Sequence, residues 1–217
     1  MKTRSLKLTV SPELGSVSAE CISPAKPACM ITLAHGAGAD MNHVFMTTLA
    51  QALAERNIAS LRFNFVFTEN GKKRPDTPAV AHQAIAAAIA KAKKLFPAIP
   101  LFASGKSFGG RMTSQYFSQH HDPAVKGIIF YGFPLHAIGK PGTERAEHLQ
   151  TVKQPMLFLQ GTKDKLAEWE LIEQVCASLA TATLIKIEGA DHAFKAGKRD
   201  TISELAGQTR QWTQDLI

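Results

Sequence analysis

Strands and helices alternate along this chain from Cys29 to its end, and one strand-to-helix junction is a glycine-flanked serine, Gly105-Lys106-Ser107-Phe108-Gly109. That junction constrains the fold more than any other segment. An apolar run, Leu101-Phe102-Ala103, leads into it, and a helix-compatible stretch from Arg111 to Gln119 leads out. In the pattern G-x-S-x-G the serine sits on a sharp turn with its hydroxyl exposed. Such a turn needs positive φ at or beside the serine, and bulky neighbours would clash with strand and helix.

The same residues also end in Gly-Lys-Ser, the tail of a phosphate-binding loop. That motif, G-x-x-x-x-G-K-[ST], requires a glycine where this chain has Pro100. Proline has no backbone N–H to offer a phosphate, and the four residues between are strand-like. Nothing downstream supplies a magnesium-binding aspartate in the matching arrangement. The sharp strand-to-helix turn with an exposed serine, a nucleophile elbow, is therefore the preferred reading.

Around the junction the rhythm predicts the remaining elements. Leu6 to Val10 and Val17 to Ile22 alternate in polarity across Ser11-Pro12-Glu13-Leu14-Gly15, the pattern of an antiparallel edge hairpin. Strands are expected over 30–34, 58–65, 101–104, 125–131, 156–160 and 182–187. Helices are expected over 44–55, 78–96, 166–179 and 202–216, the first stopped by Asn57 and the second opened by Thr77 as N-cap and Pro78. Apolar strands joined by helices imply an α/β fold: a doubly wound, mostly parallel sheet with helices on both faces. The 217 residues fit one domain, 1–217, with an N-terminal antiparallel hairpin and no separate cap domain.

Composition removes several classes of function. No apolar stretch approaches the roughly 20 residues that cross a bilayer, and no apolar segment follows the charged N-terminus as in a signal peptide. Cys21, Cys29 and Cys176 suit neither a disulfide framework nor a zinc site, and they fit a reducing cytoplasm. The formal charge of +7 is spread along the chain without any nucleic-acid-binding motif, so no nucleic-acid partner is expected. His120-His121 lacks a carboxylate at ligand spacing and reads as a solvated helix end, so no metal or cofactor is expected.

Ligands of an open parallel sheet bind beyond the carboxyl ends of its strands. Four such ends carry donor or reactive groups. The loop His35-Gly36-Ala37-Gly38-Ala39 can turn backbone N–H groups toward a developing oxyanion, with Ala37 as first donor and Phe108, just after the serine, as second. Asp164 follows the strand 156–160, and His192 follows the strand 182–187. Asp191 is a rival acid, yet adjacent side chains seldom face each other, so Asp164 is preferred. The order Ser107, Asp164, His192 is that of the α/β-hydrolases. His35 reads mainly as a loop-stabilising hydrogen-bond donor. His35, Gly36, Lys106 and Pro134 are also candidates for touching substrate.

Several motifs together carry a resemblance. They are Ala34-His35-Gly36-Ala37-Gly38, Arg62-Phe63-Asn64-Phe65 with Gly71 and Arg74-Pro75-Asp76, and Gly105 through Arg111. Tyr131 through His136, Gly161-Thr162-Lys163-Asp164 and Asp191-His192-Ala193-Phe194 belong to the same set. Over most of its length the chain resembles a compact α/β-hydrolase of the dienelactone-hydrolase-like branch. It is similar to the hydrolase-like family that includes testis-expressed (Tex-type) proteins and a subunit of a chromatin acetyltransferase complex. Dienelactone hydrolase uses a cysteine nucleophile where this chain has Ser107, so its substrate does not carry over. Some members of the resembled family serve as scaffolds.

The expected activity is hydrolysis of a small-molecule carboxylic ester or thioester through an acyl-enzyme. A non-catalytic scaffold or an acyltransferase with the same three residues are the alternatives. The short excursion from Phe133 to Lys153 predicts an open site with Pro134, His136 and Gly139 to Gly142 on its rim. The loop Gly71-Lys72-Lys73-Arg74 has two readings: a solvated loop, or a patch that attracts carboxylate- or phosphate-bearing esters.

Overall fold

The computed structural model describes all 217 residues, Met1 to Ile217. β1 (Lys2–Ser11) and β2 (Gly15–Ser23) form the antiparallel hairpin, and β2 continues antiparallel onto β4 (Ile58–Phe63). Every further pairing is parallel, through β3 (Cys29–Ala34), β5 (Leu101–Lys106), β6 (Val125–Tyr131), β7 (Met156–Gly161) and β8 (Ala182–Ile187). The eight strands lie in the order β1-β2-β4-β3-β5-β6-β7-β8.

Alternate residues of the central strands serve two separate cores. Ile31, Phe102, Ile129 and Leu157 meet α1 (Val44–Ala54) and α6 (Thr201–Gln214) through Leu49, Leu53, Leu205 and Trp212. Met30, Ala103, Phe130 and Phe158 face the opposite layer, α3 (Pro78–Leu95), α4 (Phe108–Gln119) and α5 (Trp169–Ala177). This explains why the strands read as unbroken apolar runs: both faces are covered. The alanine face of α3 (Ala81, Ala84 and Ala88, none of them exposed) lets that helix lie close on the sheet.

The chain leaves β3 for β4 on one side and returns to β5 on the other, with α1 and α3 on opposite faces. The carboxyl ends of β3 and β5 therefore flank the crevice of a topological switch point. No helix is long and apolar enough to cross a membrane.

Some boundaries differ from the sequence pattern, each for a local reason. β4 ends at Phe63 because the Asn64 N–H turns to the Ser18 carbonyl, and residues Val66–Glu69 close into the short helix α2. Phe65 is fully buried without being in a strand, so its hydrophobicity misplaced the boundary. α5 begins three residues late because the Asp164 carboxylate holds the Leu166 N–H in a turn, at 2.8 Å. Thr77 does occupy the N-cap of α3, but its side chain makes no capping bond.

The excursion after β6 is also different from the expected rim. Phe133 packs on Phe130 and Phe158 at centroid distances of 5.3 and 5.8 Å, and Leu135, Leu149 and Val152 are buried beside it. Pro134 and His136 are buried too. The apolar residues draw the segment into the core, and a 3-10 helical stretch, Glu144–Thr151, returns the chain to β7.

Candidate active site

Ser107 stands at the end of β5 with φ 51° and ψ −116°, a backbone state that non-glycine residues rarely adopt. Holding it costs on the order of 1–3 kcal/mol. Close packing of the flanking glycines stabilises the turn. A Cβ on Gly109 would lie 2.5 Å from the Ala34 carbonyl oxygen and 2.6 Å from that of His35. A Cβ on Gly105 would run into the Gly109–Gly110 backbone.

The strained turn aims the Ser107 hydroxyl at His192. Oγ lies 2.9 Å from His192 Nε2, and His192 Nδ1 lies 2.7 Å from Asp164 Oδ2. Asp164 is held from two further sides. Gln160 Nε2 donates to the same Oδ2 at 2.7 Å, and the Leu166 N–H donates to Oδ1 at 2.8 Å. Its side chain is 1% exposed against 28% for His192, so the carboxylate is internal and the imidazole reaches the cavity. Asp191 does not compete: its Oδ1 accepts the Ala193 and Lys195 N–H groups, both at 2.9 Å, and shapes the turn that carries His192.

Gly36, Ala37, Gly38 and Ala39 share one open cavity with Ser107, His192, His43, Phe45, Met46, Lys106 and Ala193, with a volume of about 240 Å³. The Ala37 N–H makes no hydrogen bond within the chain. The Phe108 N–H is the first amide of α4, a group that an α-helix leaves without an internal partner. Ala37, which lines the cavity with Ser107, and Phe108, the next residue after the serine, thus each keep an N–H free to donate.

The donor loop is held from the hairpin side. Met41 N–H donates to Asn64 Oδ1 at 3.0 Å, and its carbonyl accepts from Arg62 Nη1 at 2.5 Å. Arg62 also pairs with Glu20, and Asn64 Nδ2 donates to Glu69 at 2.9 Å. Glu69 further accepts from Lys7 and from the Ser18 N–H and hydroxyl. Burial opposes its ionisation, but these donors outweigh it and hold the carboxyl at about 2.

His35 and Pro134, both considered for substrate contact, lie elsewhere. His35 is fully buried: its Nδ1–H donates to the Gly36 carbonyl at 2.8 Å, and Nε2 accepts the Phe65 N–H at 3.1 Å. A carbonyl only accepts and an amide only donates, so the ring is neutral in one tautomer, and burial pushes its pKa down. It braces the loop and does not face the cavity. Pro134 is buried and does not line the cavity.

Lys72 and Lys73 line a second, shallower cavity of about 440 Å³ that shares Ala37, Gly38, Ala39 and His43 with the first. Arg74 is exposed and borders neither. Lys106 borders the first cavity, but its Nζ points to the His192 carbonyl at 2.6 Å.

Sequence reasoning missed Gln160 and His43. Gln160 ends an apolar run while being fully buried; its Oε1 accepts the Phe133 N–H at 2.8 Å. A lone amide closing such a strand is the signal that could have marked it. His43 caps α1 by accepting the Phe45 N–H at Nδ1 (3.2 Å) and borders both cavities.

A strained serine at the switch-point strand, with an imidazole and a buried acid from the ends of later parallel strands, defines the α/β-hydrolase class of fold. The chain belongs to the alpha/beta hydrolase domain family, whose profile matches residues 27–214. Solved structures are similar along almost the whole chain. A dienelactone hydrolase from Anabaena variabilis superposes with a TM-score of 0.81 at 15% identity, covering 100% of this chain and 98% of its own. A lidless α/β serine hydrolase from Xanthomonas campestris gives 0.78 at 20% identity, covering 98% and 95%. The esterase domain of a Rhodothermus marinus protein gives 0.75 at 16%, covering 99% of both chains. At these identities the likeness is one of fold.

Proposed function

We propose that this protein is a serine hydrolase that cleaves a carboxylic ester or thioester through a covalent acyl-enzyme. The observation that carries the reading is the unbroken line from Ser107 Oγ to His192 to Asp164, at 2.9 and 2.7 Å. His192 Nε2 removes the serine proton as Oγ attacks the carbonyl carbon. The imidazolium that forms is stabilised and oriented by Asp164. The carbonyl oxygen becomes an oxyanion that accepts from the Ala37 and Phe108 N–H groups. His192 then gives its proton to the leaving alkoxide or thiolate, and the carbonyl reforms on Ser107. A water, deprotonated by the same imidazole, hydrolyses the acyl-enzyme and restores the hydroxyl.

The cavity is small and open, so short acyl groups or extended substrates with one end in solvent suit it. Lys72 and Lys73 beside the donor loop favour esters that carry a carboxylate or phosphate group. The similar proteins named as esterases and as a lidless serine hydrolase support the reaction class. The resemblance to the Tex-type family bears on the reading too, since a scaffold would keep the fold without turnover. The whole chain is proposed to act as one domain.

A fluorophosphonate probe tests the reading. Wild-type protein should be labelled at Ser107 and should hydrolyse p-nitrophenyl acetate. Ser107→Ala should lose both, and esterase turnover that survives in this variant rules the assignment out.

A further inference from the structure

Lys106 is the residue immediately before the serine, yet its side chain is spent on the loop of the base. It is the last residue of β5, 9% exposed, and forms no ion pair with any carboxylate. Its one hydrogen bond goes to the His192 carbonyl at 2.6 Å, and that carbonyl has no other partner in the chain. The ammonium also lies 5.2 Å from the Phe194 ring centroid and 5.8 Å from that of Phe45, within reach of both π faces. Phe194 itself is strained, with φ 60°.

The loop that presents His192 is short, and its other bonds, from Asp191 to Ala193, Phe194 and Lys195, bypass His192 itself. It is the turn Asp191–Phe194, closed by the Phe194 N–H on the Asp191 carbonyl at 2.9 Å. Thr201 Oγ1 anchors its far end at the Phe194 carbonyl, 2.6 Å away. At the imidazole-bearing residue, only Lys106 grips the backbone. The nucleophile and the base are therefore joined twice: once through Oγ and Nε2, and once through the Lys106 side chain to the His192 backbone.

We infer that Lys106 is a positioning residue, a strap from the nucleophile strand that holds His192 at hydrogen-bond distance from Ser107. The inference rests on the proposed hydrolase mechanism for its kinetic consequence, but not for its structural one. A buried cation is otherwise hard to account for at this place. Burial pushes the Lys106 pKa down to about 8, against the opposing fields of Asp164 and Asp191. A neutral long side chain would fill the same space without that penalty. What the amine adds is a donor aimed at one carbonyl and a charge beside two stacked rings. With Nζ committed in this way, Lys106 does not serve as the anion-binding group of the substrate cavity.

Lys106→Met keeps the apolar stem and removes the donor, and the full-length chain is compared with wild type in three measurements. Hydrogen exchange across residues 191–195 should accelerate about 10-fold or more as local opening becomes easier, while β5 and β6 stay protected. The downfield Nδ1–H proton resonance of His192, which reports its bond to Asp164, should broaden or vanish. Ester turnover should fall about 10- to 100-fold in kcat with KM little changed, the cost of a misplaced base. Lys106→Ala should behave the same way and recover with ethylammonium. Tetramethylammonium, a cation without an N–H donor, should not rescue it.

Unchanged exchange and an unchanged His192 resonance in both variants overturn the strap, whatever the kinetics show. General loss of protection throughout the sheet also overturns it, because Lys106 would then be a core residue with no special tie to His192. Because exchange and resonance are read without turnover, an inactive wild-type protein refutes the hydrolase reading while the strap is still decided.

Discussion

Gln160 and His192 converge on one atom, Asp164 Oδ2, each from 2.7 Å. The amide comes from the strand below and the imidazole from the loop above, so the carboxylate is clamped before any substrate arrives. Asp164→Asn should lower kcat by about 10³- to 10⁴-fold, because the amide cannot stabilise the imidazolium. Gln160→Leu should lower kcat by about 10-fold. It should also destabilise the fold by about 2 kcal/mol, since it strands the buried Phe133 N–H. Steady-state kinetics and urea unfolding separate the two effects. A Gln160→Leu protein with wild-type kcat would show that the clamp is dispensable.

Gly109 packs against the base of the donor loop and Gly38 belongs to the loop itself, and the two should respond differently to the same change. A methyl group at Gly109 meets two backbone carbonyls at 2.5 and 2.6 Å, whereas one at Gly38 meets nothing within 4 Å. Gly109→Ala should lose about 3 kcal/mol or fail to fold, as overpacking against backbone cannot relax. Gly38→Ala should unfold at the wild-type urea midpoint. Equal midpoints for the two variants would contradict the packing described at the elbow.

Lys72 and Lys73 border the second cavity and are exposed, so their effect should be electrostatic and modest. Changing both to Ser should raise KM for a carboxylate-bearing ester about 5-fold at low ionic strength. Added salt should erase much of the difference. Neutral esters of the same length should be unaffected. An equal rise for neutral esters would remove the steering role.

Glu69 links acid sensitivity to the donor loop. Its carboxyl is held at about 2 in the folded chain, well below the 4.5 of an ordinary glutamate. The folded-state value is depressed, so the stabilisation is present above pH 4.5 and is lost as pH falls toward 2. Glu69→Gln should flatten that part of the stability-against-pH curve. Thermal unfolding followed from pH 6 to pH 2 measures it; identical slopes for the two proteins would count against the network.

Much of the architecture was readable because burial and period agree in the central strands. Met30–Ala34, Val125–Tyr131 and Met156–Gln160 are apolar runs bounded by turns, and the structure keeps them as strands. Ser107, Asp164 and His192 stood out because each follows such a run, in a loop of small residues. Other features have no local signature. The four residues of α2 are too few to display a helical period. The excursion after β6 mixes prolines and glycines with Phe133, Leu135 and Leu149, and tertiary packing of the aromatic residues overrode the loop composition. Lys106 is illegible for a different reason: a lysine in a strand reads as solvent-facing until the carbonyl it reaches, 86 positions away, is known.

The bonds from Glu69 through Asn64 to Met41 bring the edge hairpin into the architecture of the donor loop. The Ser107–His192–Asp164 line hangs from β5, β7 and β8, whereas the N–H group of Ala37 is braced from β1, β2 and β4. The two halves of the site therefore have separate mechanical foundations that meet only at the switch point. Trimming the N-terminal hairpin would act like loosening one jaw of a vice: proton transfer keeps its geometry, and the grip on the substrate oxygen is what slackens.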